Sequence, residues 1–264
     1  MERRYVFLGG GNMTQAMLKG FATQGKTDRY IVVERDEKTR EALTQQFGVA
    51  TKASLQGATE PFFVILAIKP QDAKVFLPTL TLPAGSVLCS IAAGLGIATI
   101  EKLIPVQTII VRAMPNLAAA VGHAVTGLFA PEDTPQDARQ ETEALFATFG
   151  KVFWLKDENM LHAVTALTGS GPGYVFHIMD IMAKTAQKMG FTVEESRGMI
   201  HELFLGAAMM AENDDFAALA KAVSSKGGTT EAALRFLEEK ELTAILQEAI
   251  FRAHERSLAL ASSF

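Results

Sequence analysis

A run of three glycines, Gly9 to Gly11, is the first stretch of this sequence whose residue types and spacing could bind a phosphate. It follows four apolar residues that are typical of a buried strand, and helical spacing begins at Asn12. The glycines permit a tight turn, and a helix N-terminus presents free N–H groups and its positive dipole end to an anion. The pattern predicts a dinucleotide cradle, although an ordinary strand-to-helix turn would use the same glycines. The third position of the fingerprint is Thr14 instead of glycine or alanine.

The end of the second predicted strand indicates which dinucleotide would bind. Glu34 stands where an acidic residue is expected to hydrogen-bond the adenosine ribose, and its carboxylate favours NAD because it repels a 2′-phosphate. The neighbouring Arg35 favours NADP because a guanidinium pairs with that phosphate. A solvated charge pair at a strand end is the alternative. Because Glu34 and Arg35 favour different cofactors, we expect both NAD and NADP to bind.

Two further glycine-rich interruptions lie in the second half of the chain. Residues 169–174 read Gly-Ser-Gly-Pro-Gly-Tyr, and residues 224–230 read Ser-Ser-Lys-Gly-Gly-Thr-Thr. A turn of small residues with exposed N–H groups at a helix N-terminus is suited to a carboxylate or a phosphate. Simple interhelical connections would need only glycine and a cap. Two such loops together favour anion binding.

The elements that must position these loops alternate between strand and helix in the first half of the chain. Such alternation is typical of a mostly parallel, doubly wound sheet with right-handed crossovers. A Rossmann sheet of this kind holds a dinucleotide beyond the carboxyl ends of its strands. Strands are predicted at 5–8, 30–33, 49–50, 62–68, 86–90, 108–111, 124–129 and 152–155, with helices at 37–47 and 133–149.

After Leu155 the strand signal ends and helical periodicity continues alone. The helical faces carry many methionines among alanines and leucines, and they are too apolar for one solvated bundle, which predicts burial in a dimer interface. We predict a Rossmann domain over 1–155 and an all-helical domain over 156–264. The predicted helices are 158–168, 171–189, 194–212, 229–239 and 242–261.

Composition excludes several classes of function. The 264 residues are 48% hydrophobic, and 29 acidic residues outnumber 25 basic ones, so we expect no nucleic-acid partner. Cys89 is the only cysteine, which excludes an internal disulfide and fits a reducing cytoplasm. We expect no membrane span, no signal peptide and no metal site.

The chain resembles the pyrroline-5-carboxylate reductase family over essentially its whole length. Arg-x-Met-Pro-Asn at 112–116 and the Gly-Gly-Thr-Thr loop are the most diagnostic motifs, and the order of all the motifs is specific. The motifs lie at 9–13, 67–71, 90–94, 112–116, 164–172 and 224–230.

The resemblance implies that the protein reduces the C=N bond of 1-pyrroline-5-carboxylate with NADH or NADPH and gives L-proline, in the last step of proline biosynthesis. It implies an N-terminal Rossmann domain and a C-terminal helical domain through which two copies form a homodimer. In the family, dimers often assemble further into rings.

The resemblance also implies the residues of the site. Thr230 and Lys69 are the catalytic candidates, with the Thr230 hydroxyl near the ring nitrogen as a hydrogen-bond partner or a route for a proton. The substrate carboxylate would be bound by Ser225, Gly227, Gly228, Thr229 and Thr230. The cofactor would be bound by Leu8, Gly9, Gly10, Gly11, Asn12, Met13, Glu34, Arg35, Ser54, Ala67, Ile68, Lys69, Pro70, Ala92, Ala93 and Gly94.

Several positions depart from the family pattern or allow two roles. Glu158 would contact the nicotinamide amide or favour a helix N-terminus. His162 stands where many members carry Asp, Ser54 where an Asn often contacts the cofactor, and Lys226 where Pro is common.

Two rival functions stay open at this point. A β-hydroxyacid-dehydrogenase-like enzyme shares the plan of a Rossmann and a helical domain, and it would use Lys184 or Lys188 as acid and base. A non-catalytic dinucleotide-binding regulator would have no need of the loop at 224–230. Turnover of pyrroline-5-carboxylate distinguishes all three.

Overall fold

One eight-stranded sheet dominates the computed structural model, which describes residues 4–22, 25, 29–55 and 60–262. The strand order is β3-β2-β1-β4-β5-β6-β7-β8, and every neighbouring pair is parallel except β6 with β7. This order confirms the predicted Rossmann-type sheet. The strands are β1 Arg4–Leu8, β2 Tyr30–Val33, β3 Ala50–Lys52, β4 Phe62–Leu66, β5 Val87–Ser90, β6 Ile109–Met114, β7 Ala124–Phe129 and β8 Gly150–Trp154.

Helices fill the connections between strands and then form the second half of the described chain. A π-helical turn, Thr165–Gly169, joins α6 to α7. The helices are α1 Asn12–Ala22, α2 Glu37–Phe47, α3 Pro70–Phe76, α4 Ile97–Leu103, α5 Gln136–Ala147, α6 Met160–Val164, α7 Gly171–Lys188, α8 Val193–Met210, α9 Phe216–Ala222, α10 Thr229–Glu239 and α11 Leu242–Ala261. None of the described helices is long and apolar enough to cross a membrane.

Several predicted elements differ from the observed ones at one or both ends, and four of them are informative. The strand predicted at 108–111 continues to Met114, because the backbone pairs with β7 beyond the apolar run and Arg112 is buried despite its charge. The strand predicted at 62–68 ends at Leu66, and the one predicted at 49–50 lies at Ala50–Lys52. The helix predicted at 158–168 is α-helical only over Met160–Val164.

The core consists of two apolar clusters, one on each face of the sheet. Successive strand residues point to opposite faces, so Phe7 and Val32 lie in one cluster while Val6 and Leu8 lie in the other. The fully buried Cys89 belongs to the first cluster, where burial raises the pKa of its thiol far above the ordinary value. It therefore packs as a small hydrophobic residue.

Helix α1 is held close to the segment before β7 by a glycine on its buried side. A Cβ added at Gly20 would lie 2.4 Å from the carbonyl oxygen of Ala119, so no larger residue fits. The ring of Phe21 stacks on Tyr30 at 3.8 Å between centroids and meets Phe149 edge-on at 4.5 Å. These contacts fix the helix whose N-terminus follows the glycine run.

The chain separates into two compact units. The first runs up to Pro172 and includes the stretch from Ala253 onward, and the second is Gly173–Arg252. The divisions fall within α7 and α11. Large apolar side chains are exposed on the helices of the second unit, with Phe176 at 65% and Met209 at 69% exposure.

We predict that Gly20→Ala lowers the free energy of unfolding by about 1–3 kcal/mol, because the added methyl group overlaps a backbone carbonyl that cannot rotate away. Lys19→Ala is the matched control, since Lys19 is exposed on the same helix and its removal should cost under about 0.5 kcal/mol. Urea denaturation at one fixed protein concentration compares the two. Equal effects would show that Gly20 is not a site of close packing.

Candidate active site

The glycine run follows β1 at the carboxyl edge of the parallel strands. Gly9 has φ +104°, and a Cβ there would lie 2.8 Å from the carbonyl oxygen of Ala67. A Cβ at Gly10 would lie 2.7 Å from Cδ1 of Leu43. No atom of the described residues lies within 4 Å of the corresponding position at Gly11, which leaves open space at the N-terminus of α1. The first two glycines therefore allow close packing, and the third leaves room for a phosphate group.

Thr14 has a defined contact in the turn. Its hydroxyl is buried and donates a 2.7 Å hydrogen bond to the carbonyl oxygen of Gly9. Gln15 Nε2 donates to the carbonyl oxygen of Gly10 at 3.0 Å. The departure from the usual small residue thus ties α1 to the turn and leaves the amides of the first helical turn to a ligand.

Glu34 lies beside the glycine run, at the end of β2. Its Oε2 accepts from the Gly10 N–H at 2.9 Å, and its Oε1 accepts from the Asp36 N–H at 3.0 Å. Arg35 is exposed, and Arg40 Nη1 donates to the carbonyl oxygens of Glu34 and Arg35 at 2.8 Å each. A carboxylate and two guanidinium groups therefore lie where the ribose of a dinucleotide is expected.

The segment 67–70 runs next to the glycine turn because β1 and β4 are neighbours. The Ala67 N–H donates to the carbonyl oxygen of Leu8 at 2.9 Å. Lys69 is exposed and immediately precedes Pro70, the first residue of α3. Ser54 is exposed just beyond the end of β3. The predicted cofactor residues of β1, β2 and β4 are thus brought to one edge of the sheet.

The loop after β5, residues 91–96, lies at the same edge. Gly94 has φ +77°, and a Cβ there would lie 3.1 Å from the backbone nitrogen of Ala261 and 3.2 Å from the carbonyl carbon of Leu260. Bulk at Gly94 is therefore excluded by the C-terminal end of α11. The sequence alone gives no sign of this packing, because nothing local links position 94 to the end of the chain.

A buried ion pair lies next to this loop. Arg112 is 5% exposed, and its Nη1 donates to Glu158 Oε1 at 3.0 Å. The same Glu158 oxygen accepts from the N–H of Ile97, the first residue of α4, at 2.8 Å. Burial lowers the pKa of Arg112, while the carboxylate of Glu158 acts in the opposite direction. The Glu158 carboxylate therefore lies at the N-terminus of α4, 61 residues before it in the sequence, and a contact with the nicotinamide amide stays a prediction.

The motifs at 112–116 and 164–172 meet just beyond β6. Asn116 is buried, and its Nδ2 donates to the carbonyl oxygen of Thr168 at 2.9 Å. A Cβ at Gly169 would lie 3.0 Å from Cε of Met114. The Arg-x-Met-Pro-Asn segment therefore packs against the π-helical turn through Met114 and Asn116.

The loop at 224–230 lies in the second unit and precedes α10. Gly227 has φ +73°, its N–H donates to Glu231 Oε2 at 2.6 Å, and the Gly228 N–H donates to the carbonyl oxygen of Ser225 at 2.9 Å. Two of the five residues predicted to bind the carboxylate thus have amides that already donate, Gly227 to α10 and Gly228 within the loop. Thr229 and Thr230 are the first two residues of α10. The N-cap residue of this helix, Gly228, has no side chain that could accept from their N–H groups. Their amides lie where a helix leaves N–H groups for an anion.

His162 is buried on α6, and its Nδ1 lies 2.8 Å from Oγ of Ser257. Burial lowers the pKa of His162, and the nearby Arg112 and His254 lower it further, whereas Glu158 raises it. The imidazole is therefore favoured in its neutral form in the folded protein.

We predict that acid weakens the fold partly through His162. Because the pKa of His162 is lower in the folded chain, the unfolded chain binds the proton more readily. The contribution of His162 to the free energy of unfolding is therefore fully present above its unfolded pKa of about 6.5, and it is lost as the pH falls through its folded pKa. His162→Asn should show a smaller loss of unfolding free energy between about pH 7.5 and 5.5. His123→Asn, at an exposed turn, is the control and should match the native chain. An unchanged pH dependence in His162→Asn would refute the role.

Comparison with known proteins supplies the family. The family model described as pyrroline-5-carboxylate reductase dimerisation matches residues 158–260, and that described as NADP oxidoreductase coenzyme F420-dependent matches residues 4–94. The pyrroline-5-carboxylate reductase of Haemophilus influenzae is 36% identical over 100% of both chains. The one from Pasteurella multocida is 35% identical over 98% of both.

Solved structures agree with these relatives. The pyrroline-5-carboxylate reductase of Coxiella burnetii has a TM-score of 0.87 and 32% identity over 98% of both chains. The pyrroline carboxylate reductase of Plasmodium falciparum, crystallised with NADP bound, has a TM-score of 0.86 over 98% of both chains. At 22% identity this second likeness shows the fold alone.

Proposed function

This chain belongs to the pyrroline-5-carboxylate reductase family, and we propose that it reduces the C=N bond of 1-pyrroline-5-carboxylate to L-proline with NADH or NADPH. The observation that carries the proposal is the glycine turn between β1 and α1, which leaves open space at a helix N-terminus. Gly9 and Gly10 are packed against their neighbours, while Gly11 faces open space at the N-terminus of α1. The amides of Gly11, Asn12 and Met13 would bind the pyrophosphate there.

The other cofactor contacts follow from the same edge of the sheet. Glu34 and Arg35 would contact the adenosine ribose, the segment 67–70 with Lys69 would line the nicotinamide side, and Ala92 to Gly94 would pack against the nicotinamide ring. When bound, the reduced nicotinamide supplies the hydride. The protein then has to orient two rings, exclude water and deliver a proton to the imine nitrogen.

The loop before α10 would bind the substrate carboxylate. The amides of Thr229 and Thr230 have the geometry of a helix N-terminus, and Ser225 adds a donor from the same loop. Gly227 and Gly228, whose amides bond to Glu231 and Ser225, would hold the loop in shape. The Thr230 hydroxyl would donate to the ring nitrogen and so favour hydride acceptance at the adjacent carbon.

The helical region contributes the dimerisation domain of the family, since residues 158–260 match its model. We propose that two copies associate through this region, because large apolar side chains of the second unit are exposed in the single chain. We also propose that the dimers assemble into rings and that the protein is cytoplasmic. The proposed domains are residues 1–155 and 156–264.

The direct test is to mix the protein with 1-pyrroline-5-carboxylate and follow the absorbance of NADH and NADPH. Substrate-dependent oxidation with formation of L-proline supports the proposal. Oxidation of a β-hydroxyacid would favour the dehydrogenase rival, whose candidate Lys184 pairs with Asp180 at 2.6 Å on an exposed helix face. Cofactor binding without turnover would favour the regulator.

We predict that Thr230→Ala lowers kcat/KM for 1-pyrroline-5-carboxylate by about a hundredfold, because the hydroxyl that handles the proton is lost. Thr230→Ser retains the hydroxyl and should keep most of the activity. Lys226→Pro, at the position where the family commonly has Pro, should be tolerated. Full activity in Thr230→Ala would disprove the proton-handling role.

Cofactor choice is expected to depend on Glu34 and Arg35. We expect the Michaelis constants for NADH and NADPH to differ by less than about a hundredfold, or roughly 2.7 kcal/mol, since Glu34 and Arg35 act in opposite directions. Glu34→Gln keeps an acceptor for the Gly10 N–H but removes the charge, so it should lower the constant for NADPH. A larger native difference, or no response to Glu34→Gln, contradicts this account of specificity.

A further inference from the structure

Arg112 is a charged residue in an unusual place. It lies on β6 opposite Ser90 of β5, and it is 5% exposed. Burying a guanidinium is costly, and well-packed apolar residues often replace a buried ion pair with no loss of stability. Its Nε is buried and has no hydrogen-bond partner among the described residues. A contribution to stability therefore does not explain the residue.

The contacts of Arg112 and Glu158 converge on one loop. Arg112 Nη2 lies 3.5 Å from the carbonyl oxygen of Ala92, at the beginning of the loop after β5. Glu158 Oε1 accepts from the N–H of Ile97, the first residue of α4, which directly follows the loop. The two side chains are joined at 3.0 Å. A single ion pair thus links both ends of the segment 92–97.

The middle of the same loop is supported by backbone. Gly94 lies against Leu260 and Ala261, and a Cβ added at Gly94 would lie 3.1 Å from the backbone nitrogen of Ala261. The loop consequently has little freedom to shift toward α11, while the ion pair opposes displacement of its ends. The segment 92–94 is also the part of the proposed site that packs against the nicotinamide ring.

We infer that Arg112 and Glu158 are positioning residues that hold the loop 92–97 in the conformation that receives the nicotinamide ring. The inference rests on the proposed function for the location of the ring. The inference does not apply to the adenosine or the pyrophosphate of the cofactor, because the residues proposed to contact them lie on the loops after β1 and β2. Loss of the pair should therefore weaken binding of the nicotinamide half of the cofactor alone.

The test compares two ligands that differ only by the nicotinamide ring. Isothermal titration calorimetry measures the dissociation constants of NADH and ADP-ribose for the native protein and for Glu158→Ala. We expect NADH to bind about tenfold more weakly to the variant while ADP-ribose binding stays within about twofold. Glu158→Gln keeps an oxygen that can accept from Ile97, so it should lose less NADH affinity.

Glu143→Ala is the matched control, because this exposed carboxylate accepts from Trp154 Nε1 at 2.9 Å and has no part in the site. It should bind both ligands like the native protein. Equal weakening of NADH and ADP-ribose in both Glu158 variants, or unchanged NADH binding, would overturn the inference. Glu158→Gln decides the matter if the alanine variant does not fold. No pyrroline substrate is present, so a native protein that binds NADH but lacks reductase activity would refute the proposed function alone.

Discussion

The close approach of the Gly9 backbone to the carbonyl group of Ala67 is the constraint on which the proposed cofactor site depends. It brings the ends of three strands together, because the Gly9 N–H donates to Val33 of β2 and the Ala67 N–H donates to Leu8 of β1. A side chain at position 9 would separate these strand ends. The glycine turn, Glu34 and the segment 67–70 are consequently parts of one arrangement.

The glycine run at 9–11 and the loop at 224–230 follow a common physical pattern. In each, one glycine amide donates to a glutamate of the chain itself, Gly10 to Glu34 and Gly227 to Glu231. The amides that remain for a ligand lie in the first turn of the following helix, where no intrahelical acceptor is available. The glycines therefore act mainly through backbone conformation, and the helix termini provide the proposed anion sites.

Local sequence patterns predicted most of the sheet and the longer helices, because alternation and helical spacing are properties of neighbouring residues. The seven-residue helices α3, α4 and α9 were not predicted, because each is too short for a clear period. The pairing of Arg112 with Glu158 and the packing of Gly94 on Ala261 join residues far apart in the chain, and no local pattern encodes either contact. Site roles transferred from the family remain predictions for this chain.

Transfer of the hydride itself tests the central claim most directly. NADH or NADPH carrying deuterium at both hydrogen positions of nicotinamide C4 would be incubated with the protein and 1-pyrroline-5-carboxylate, and the product analysed by mass spectrometry and NMR. The account predicts L-proline with deuterium at the carbon of the former C=N bond. Proline without deuterium, or no proline at all, would contradict it.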